Sequence, residues 1–183
     1  NLFHLAIGNF DGIHLGHQQI INSLVEEAKK FNKPSAILSF EPHPRQFFSR
    51  ELDRYQILSQ EKKQSIFKNL GVDNYFCLKF DKNLSNLSPV DFITKIIVNQ
   101  LKVEKLMVGY DFHFGKNRKG DTNLLFEHSN IHGFNLKIIE QINNSKTQEP
   151  YSSTVIREGI RNGEMEEVNL LLGRPWSMGG KVI

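Results

Sequence analysis

Short apolar runs alternate along the chain with segments in which apolar residues recur every three or four positions. The apolar runs are typical of buried strands, and the periodic segments are typical of amphipathic helices. We predict strands over residues 2–7, 35–40, 75–80, 105–108 and 134–140. We predict helices over residues 16–31, 59–70, 88–101, 122–132, 153–161 and 164–172.

This alternation is typical of α/β domains in which helices cover a parallel sheet. We therefore predict an α/β fold built on a doubly wound, mainly parallel, five-stranded Rossmann-like sheet. Such sheets bind ligands beyond the carboxyl ends of their strands. Polar, glycine-bearing segments follow the first, second and fourth strands, at residues 8–17, 41–45 and 109–121. The topology predicts that these three segments gather on one rim.

Composition narrows the classes of partner. The 183 residues carry a net charge of only +3 and no run of five or more basic residues, so binding to nucleic acid is not indicated. No apolar stretch approaches the length of a membrane span and no signal peptide is evident, so we expect a cytoplasmic protein without a membrane partner. The single cysteine, Cys77, is expected to be buried in the third strand.

The first polar segment reads Gly-Asn-Phe-Asp-Gly-Ile-His-Leu-Gly-His and leads from a strand into a helix. Its two histidines, His14 and His17, are three residues apart and therefore share one side of the first helical turn. Glycines leave the backbone free to approach a ligand, and helix-start amides favour anions. We predict that this turn binds a polyphosphate, with both imidazoles taking up charge as a phosphorus centre reacts. Asp11 either orients the ligand or caps the turn.

A second helix start carries the residues of an anion site. Ser153 and Thr154 offer hydroxyl groups beside free helix amides, and Arg157 follows one turn later. The alternative is a plain helix cap, since Ser and Thr are common there. Two such sites in one small domain predict a nucleoside triphosphate held from both sides.

Two further rim segments have a structural and a functional interpretation. In residues 109–121, Phe112 and Phe114 either line a flat aromatic pocket or cover the core, while Lys116, Arg118 and Lys119 either bind phosphate or form a solvated basic loop. The run Glu-Pro-His-Pro at 41–44 is either a rigid exit from its strand or a substrate contact.

Several other chemistries are disfavoured. The chain has neither the Gly-x-x-x-x-Gly-Lys-Ser/Thr loop of P-loop enzymes nor the Gly-x-Ser-x-Gly turn of α/β hydrolases. No third ligand for zinc stands near His14 and His17, so we predict no metal held by protein ligands.

At this point the residues resemble a known group. His14-Leu15-Gly16-His17, together with residues 152–157, resembles the paired signature of the HxGH nucleotidyltransferases. Residues 8–17, 40–44, 108–121 and the closing Leu172-Gly173-Arg174-Pro175 resemble, in order, bacterial bifunctional riboflavin kinase/FAD synthetases. The resemblance implies the adenylyltransferase half of such an enzyme, an FMN adenylyltransferase that makes FAD and pyrophosphate from ATP and FMN with Mg²⁺.

The resemblance also implies roles for individual residues. The implied catalytic residues are His14, His17 and Arg157. The implied ATP site further contains Gly8, Asn9, Phe10, Asp11, Gly12, Gly16, Ser153 and Thr154. The implied substrate site contains Glu41, His43, Pro44, Asp111, Phe112, Phe114, Arg118 and Glu164. Two departures from the family pattern are His113, which replaces an arginine, and Tyr151, which replaces an aliphatic residue and is expected to matter little.

The resemblance further implies how the chain is organised. Residues 1–173 would form the adenylyltransferase domain, and residues 174–183 would be a linker and the start of a riboflavin kinase module, covalently linked in the full-length protein. We therefore expect this chain to be a piece of a longer protein, and kinase activity only in that longer chain. Two alternatives stay open: another HxGH transferase that uses CTP or a different acceptor, and a nucleotide- or flavin-binding regulatory module without catalysis.

Overall fold

One parallel sheet organises the domain in the computed structural model, which describes residues 2–49, 56–144 and 148–179. Its five strands lie in the order β3-β2-β1-β4-β5, and every neighbouring pair is parallel. The strands are β1 (Phe3–Ile7), β2 (Ser35–Glu41), β3 (Asn74–Lys79), β4 (Val103–Gly109) and β5 (Asn135–Ile139). The predicted five-stranded parallel α/β fold is confirmed.

The helices alternate with these strands along the chain. They are α1 (Leu15–Lys30), α2 (Pro44–Phe48), α3 (Gln60–Asn69), α4 (Lys82–Ser85), α5 (Pro89–Asp91), α6 (Thr122–His132), α7 (Ser153–Asn162) and α8 (Met165–Leu172). Helix α5 continues as a π-helical segment, Phe92–Gln100, and Lys116–Arg118 form a 3₁₀ turn. Helices α2 and α4 were not predicted, because elements of five and four residues are too short to show a periodic apolar pattern.

Alternation along the strands gives the sheet two apolar faces. Ala6, Ile37 and Met107 face a core that includes residues of α1, α3, α7 and α8. Leu5, Ile7, Ala36, Leu38, Leu106 and Val108 face a second core, built with the π-helical segment and α6. Helices therefore cover both faces, which leaves the carboxyl ends of the strands for the polar loops.

Cys77 differs from the prediction. It was expected to be buried, but its side chain is exposed. The reason lies in the strand order: β3 is at the edge of the sheet, so its outer residues are not covered as those of the central strands are. An apolar run in the sequence does not show whether its strand is central or at an edge.

No helix in the described part of the chain combines the length and the apolar character that crossing a bilayer requires.

Replacing Ile37 by Ala is expected to lower the free energy of unfolding by about 2–5 kcal/mol, because this fully buried side chain lies in the middle of β2 and its loss leaves a cavity. The matched control is Ile131→Ala, which truncates a side chain that is 70% exposed on α6 and should change stability by no more than about 0.5 kcal/mol. Urea unfolding followed by circular dichroism measures both. Equal losses in the two variants would contradict the placement of Ile37 in the core.

Candidate active site

The loops beyond the carboxyl ends of four strands enclose one cleft of about 780 Å³, a volume suited to a small-molecule ligand. Residues 8–11, 14, 16–17, 43–45 and 109–113 come from the three segments that topology predicts to meet. Residues 139–142, after β5, and 150–154, which lead into α7, complete the wall. Both predicted helix-start sites therefore face the same cleft.

The two histidines form one stacked unit at the start of α1. His14 is the N-cap residue, and its Nδ1 accepts a hydrogen bond from the backbone N–H of His17 at 3.2 Å. The imidazole rings lie 3.6 Å apart and nearly parallel. Because Nδ1 of His14 is an acceptor, the proton of the neutral ring is on Nε2.

Burial keeps both rings uncharged near neutral pH. It lowers the pKa of His14 from its usual 6.5 to about 4, and it lowers the pKa of His17 well below its usual value. Each neutral imidazole still carries one N–H group that can donate to an anion.

One of the two residues between the histidines, Gly16, is a glycine because the backbone there is crowded. A Cβ on Gly16 would lie 3.0 Å from Cβ of Tyr151 and 3.3 Å from Nδ1 of His14. The Tyr151 ring lies nearly parallel to that of His14, with centroids 5.9 Å apart. Tyr151, expected to matter little, thus packs directly on the histidine turn.

Asp11 connects the histidine turn to two remote parts of the chain. Its carboxylate is buried, accepts a hydrogen bond from the backbone N–H of Ile57 at 3.1 Å, and lies 2.6 Å from Nη2 of Arg157. Its backbone carbonyl accepts a hydrogen bond from Oγ of Ser153 at 2.8 Å. These long-range contacts fix the start of α7 beside the start of α1.

The backbone before His14 is strained. Phe10 and Ile13 adopt positive φ angles of 46° and 43°. For a β-branched residue such as Ile13 this region is strongly disfavoured, at a cost on the order of 1–3 kcal/mol. Such a conformation persists only where its surroundings hold it in place.

Lys63 is a site residue that the sequence analysis missed. Its side chain is only 2% exposed, and its ammonium donates to the backbone carbonyl of Asn9 at 3.3 Å. The charge helps to lower the pKa of His17 and of His43. The signal was present, because Lys63 stands in helical register with Ile66 and Phe67 on the apolar face of α3.

Two buried polar atoms at the cleft have no hydrogen-bond partner within the described ranges. They are Oδ1 of Asn9 and Nδ1 of His17, and both residues line the cleft. Buried polar groups in folded proteins are nearly always satisfied, so unsatisfied atoms at a cleft point to a ligand or to water.

The structure separates the predicted substrate residues into two groups. Those on the cleft wall are His43, Pro44, Asp111, Phe112 and Arg118. Phe114 stacks on Phe112 with ring centroids 5.5 Å apart, but it is buried in the core behind that ring. The sequence analysis left open whether these two rings line the cleft or cover the core. The structure places Phe112 on the cleft wall and Phe114 in the core.

Glu41 and Glu164 also lie off the wall. The carboxylate of Glu41 accepts hydrogen bonds from the side-chain amides of Gln56 and Gln60. Glu164 is exposed at the start of α8 and accepts a hydrogen bond from the side chain of Asn162 at 3.2 Å. Gly12, with φ of 82°, lies behind the turn against Ile57.

The wall also carries charged groups that were not predicted. Arg45 and Arg161 line the cleft together with Arg157 and Arg118. His43 caps α2 by accepting from the backbone N–H of Arg45 at 3.1 Å, and burial lowers its pKa to about 4. The cleft thus combines guanidinium groups with neutral imidazoles, a set suited to phosphate oxygens.

Comparison with known proteins relates this geometry to a family. The FAD synthetase family model matches residues 3–155. The bifunctional riboflavin kinase/FMN adenylyltransferase of Pseudomonas fluorescens is 36% identical over 97% of this chain. The protein of the same name from Buchnera aphidicola subsp. Schizaphis graminum is 34% identical over 98% of this chain. The Escherichia coli K12 relative is 32% identical over 98%. The chain spans only 57%, 56% and 56% of the Buchnera, Pseudomonas and Escherichia proteins.

A solved structure supports the fold alone. The crystal structure of a macrolide-efflux protein from Streptococcus pneumoniae matches 96% of this chain and 58% of its own, with a TM-score of 0.83 at 24% identity. The family is shown by sequence instead: because the FAD synthetase family model matches more than half of the chain, and the three relatives agree with it, the chain belongs to the FAD synthetase family.

Proposed function

We propose that this domain is an FMN adenylyltransferase, which transfers AMP from ATP to FMN and releases FAD and pyrophosphate. The observation that carries the proposal is the junction of two helix starts at one cleft, with the stacked His14 and His17 on one and Arg157 on the other. Membership of the FAD synthetase family supports the choice of substrates.

ATP is assigned to the side of the cleft formed by the two helix starts. The Nε2–H of His14 can donate a hydrogen bond to the nucleotide, Oδ1 of Asn9 can accept one, and Nδ1 of His17 can donate or accept according to its tautomer. Arg157 places a guanidinium next to them, and Lys63 adds a buried positive charge behind Asn9. The remaining ATP contacts are assigned to Gly8, Phe10, Asp11, Gly12, Gly16, Ser153 and Thr154.

FMN is assigned to the part of the cleft formed by the loop after β4 and by residues 43–44. The Phe112 ring, which stacks on Phe114, offers a flat apolar surface for the isoalloxazine ring of FMN. Arg118 lines the same cleft and is assigned to the FMN phosphate. His43 and Pro44 line the same cleft. The proposed substrate site also includes Asp111, which lines the cleft. It further includes Glu41 and Glu164, which lie outside the cleft wall.

The reaction is an in-line displacement. An oxygen of the FMN phosphate forms a bond to the α-phosphorus of ATP, the bond from that phosphorus to the bridging oxygen breaks, and pyrophosphate leaves with the electron pair. The FMN phosphate is already anionic near neutral pH, so no general base is required. Catalysis then consists of positioning and of neutralising charge.

Mg²⁺ is proposed to accompany ATP. The described residues contain no group of three or more His, Cys, Asp or Glu side chains that could hold a metal ion. The ion would therefore be held chiefly by the triphosphate, as is common for Mg²⁺, and would neutralise phosphate charge when bound.

The length of the relatives supports a proposal on organisation. We assign residues 1–173 to the adenylyltransferase domain and residues 174–183 to the linker and start of a riboflavin kinase module, because the relatives that bear both names are almost twice as long. We place the protein in the cytoplasm, where ATP is available.

The central test is chromatographic detection of FAD after incubation with FMN, ATP and Mg²⁺. FAD and pyrophosphate in equal amounts are expected. Turnover of another phosphorylated acceptor or of CTP, but not of FMN with ATP, would replace the proposal by a different HxGH transferase. Tight binding of FMN without any turnover would identify a regulatory module instead.

Replacing His17 by Ala is expected to lower kcat for FAD formation by roughly 10²–10³, the usual effect of removing one donor that stabilises developing charge. The matched control is His132→Ala, which removes an exposed histidine at the end of α6. The control should keep full activity. A His17→Ala enzyme with near-normal kcat would remove His17 from the catalytic set.

The neutral state of His14 predicts how stability depends on pH. Between pH 6.5 and about 4 the unfolded chain binds a proton at His14 and the folded protein does not, so acidification through this window favours unfolding. In His14→Asn, an acceptor remains at the N-cap but nothing titrates. The drop in unfolding free energy from pH 7.5 to pH 4.5 should be about 2–3 kcal/mol smaller in the variant, as measured by urea titration at each pH. Parallel curves for the two proteins would contradict the lowered pKa.

A further inference from the structure

The chain after α8 folds back onto the rear of the histidine turn. The guanidinium of Arg174 donates to the carbonyls of Gly12 and Ile13, and also to the carbonyl of Leu172 at 3.1 Å. The side-chain amide of Gln18 donates to the carbonyls of Ile13 and Leu172, at 2.9 and 2.8 Å. The side chains of Arg174 and Gln18 thus connect the end of α8 to the two residues just before His14.

Packing holds the same segment against the turn. Gly173 has φ of 66°, and a Cβ built on it would lie 2.5 Å from Cδ2 of Leu15. The absence of a side chain therefore lets the backbone after α8 approach the residue between His14 and Gly16. Beyond it, the indole N–H of Trp176 donates to the carbonyl of Ile57 at 3.1 Å, the residue whose own N–H binds Asp11.

These contacts coincide with the strained backbone. Ile13 is fully buried at a positive φ, and its carbonyl is the one that both Arg174 and Gln18 bind. Neither Arg174 nor Gln18 lines the cleft, so their effect on a ligand there is exerted through the turn. The strained residue of the turn, Ile13, is therefore also the residue that Arg174 binds.

We propose that Arg174 is a positioning residue for the reaction, which, together with Gln18, holds the carbonyls of Gly12 and Ile13 so that His14 and His17 keep their stacked geometry. Five guanidinium N–H groups in a planar fork suit a cluster of carbonyl acceptors, which a lysine ammonium satisfies less completely. The proposal rests on the proposed function for its kinetic consequence, but the geometric claim about the histidines is independent of it.

The test replaces Arg174 by Met, which keeps an unbranched apolar stem and removes the guanidinium donors. Since displacement of catalytic groups by about 1 Å can reduce turnover on the order of 10²-fold, kcat for FAD formation should fall roughly 10- to 100-fold. The KM values for ATP and FMN should change less than threefold, and Arg174→Lys should recover part of the loss. All assays are run at a temperature at which circular dichroism shows the variant to be folded.

Asn169→Ala is the matched control. It removes the acceptor of the Trp176 backbone N–H, a 2.7 Å bond that tethers the same segment without touching the turn. This control should keep kcat within about twofold. If Arg174→Met does not fold, Gln18→Met tests the same carbonyl of Ile13 from within α1, with the same expected loss. A folded variant with unchanged kcat would overturn the proposal.

Nitrogen NMR of the imidazole rings separates this proposal from the proposed function. In Arg174→Met, the ¹⁵N signals of His14 and His17, identified by single His→Ala variants, should shift, whereas in Asn169→Ala they should not. If the unaltered chain makes no FAD, the proposed function fails and the NMR comparison still decides the positioning role. Unchanged imidazole signals in Arg174→Met would rule that role out.

Discussion

A single buried carboxylate connects the parts of the cleft. Asp11 receives the guanidinium of Arg157 and the backbone N–H of Ile57, while its own carbonyl receives the hydroxyl of Ser153. A buried charge is tolerated only with partners, and breaking a buried pair by removing one partner costs about 3–5 kcal/mol. The same interaction therefore stabilises the domain and sets the position of α7 relative to the histidine turn.

Much of the fold and the location of the cleft were predictable because they depend on local patterns. Apolar runs and helical periodicity can be recognised from consecutive residues alone. The strands of a parallel sheet all end at the same edge, so the loops that follow them lie close together. The two helix starts were also readable, since His14 and Ser152 occupy N-cap positions and the residues after them follow helical spacing.

What could not be predicted depends on contacts between distant residues. Nothing in a Phe-His-Phe run decides that Phe112 lines the cleft while Phe114 is in the core, because that depends on Phe92 and Gly120 packing against Phe114. The exposure of Cys77 depends on strand order. The importance of Tyr151 depends on its contact with Gly16, which is far from it in sequence.

The hydrogen bond from Arg174 to the carbonyl of Gly12 has a consequence for the folding of the chain during its synthesis. The two residues are 162 positions apart, so the histidine turn is synthesised well before the arginine that holds it. At about 5–20 residues per second, the turn exists for roughly 8–30 s before Arg174 has been added. The sheet and α1 can form during that time, whereas the strained turn acquires its full set of partners only when α8 and residues 173–174 are in place. A nascent chain therefore holds the histidines of the cleft well before it holds their final geometry.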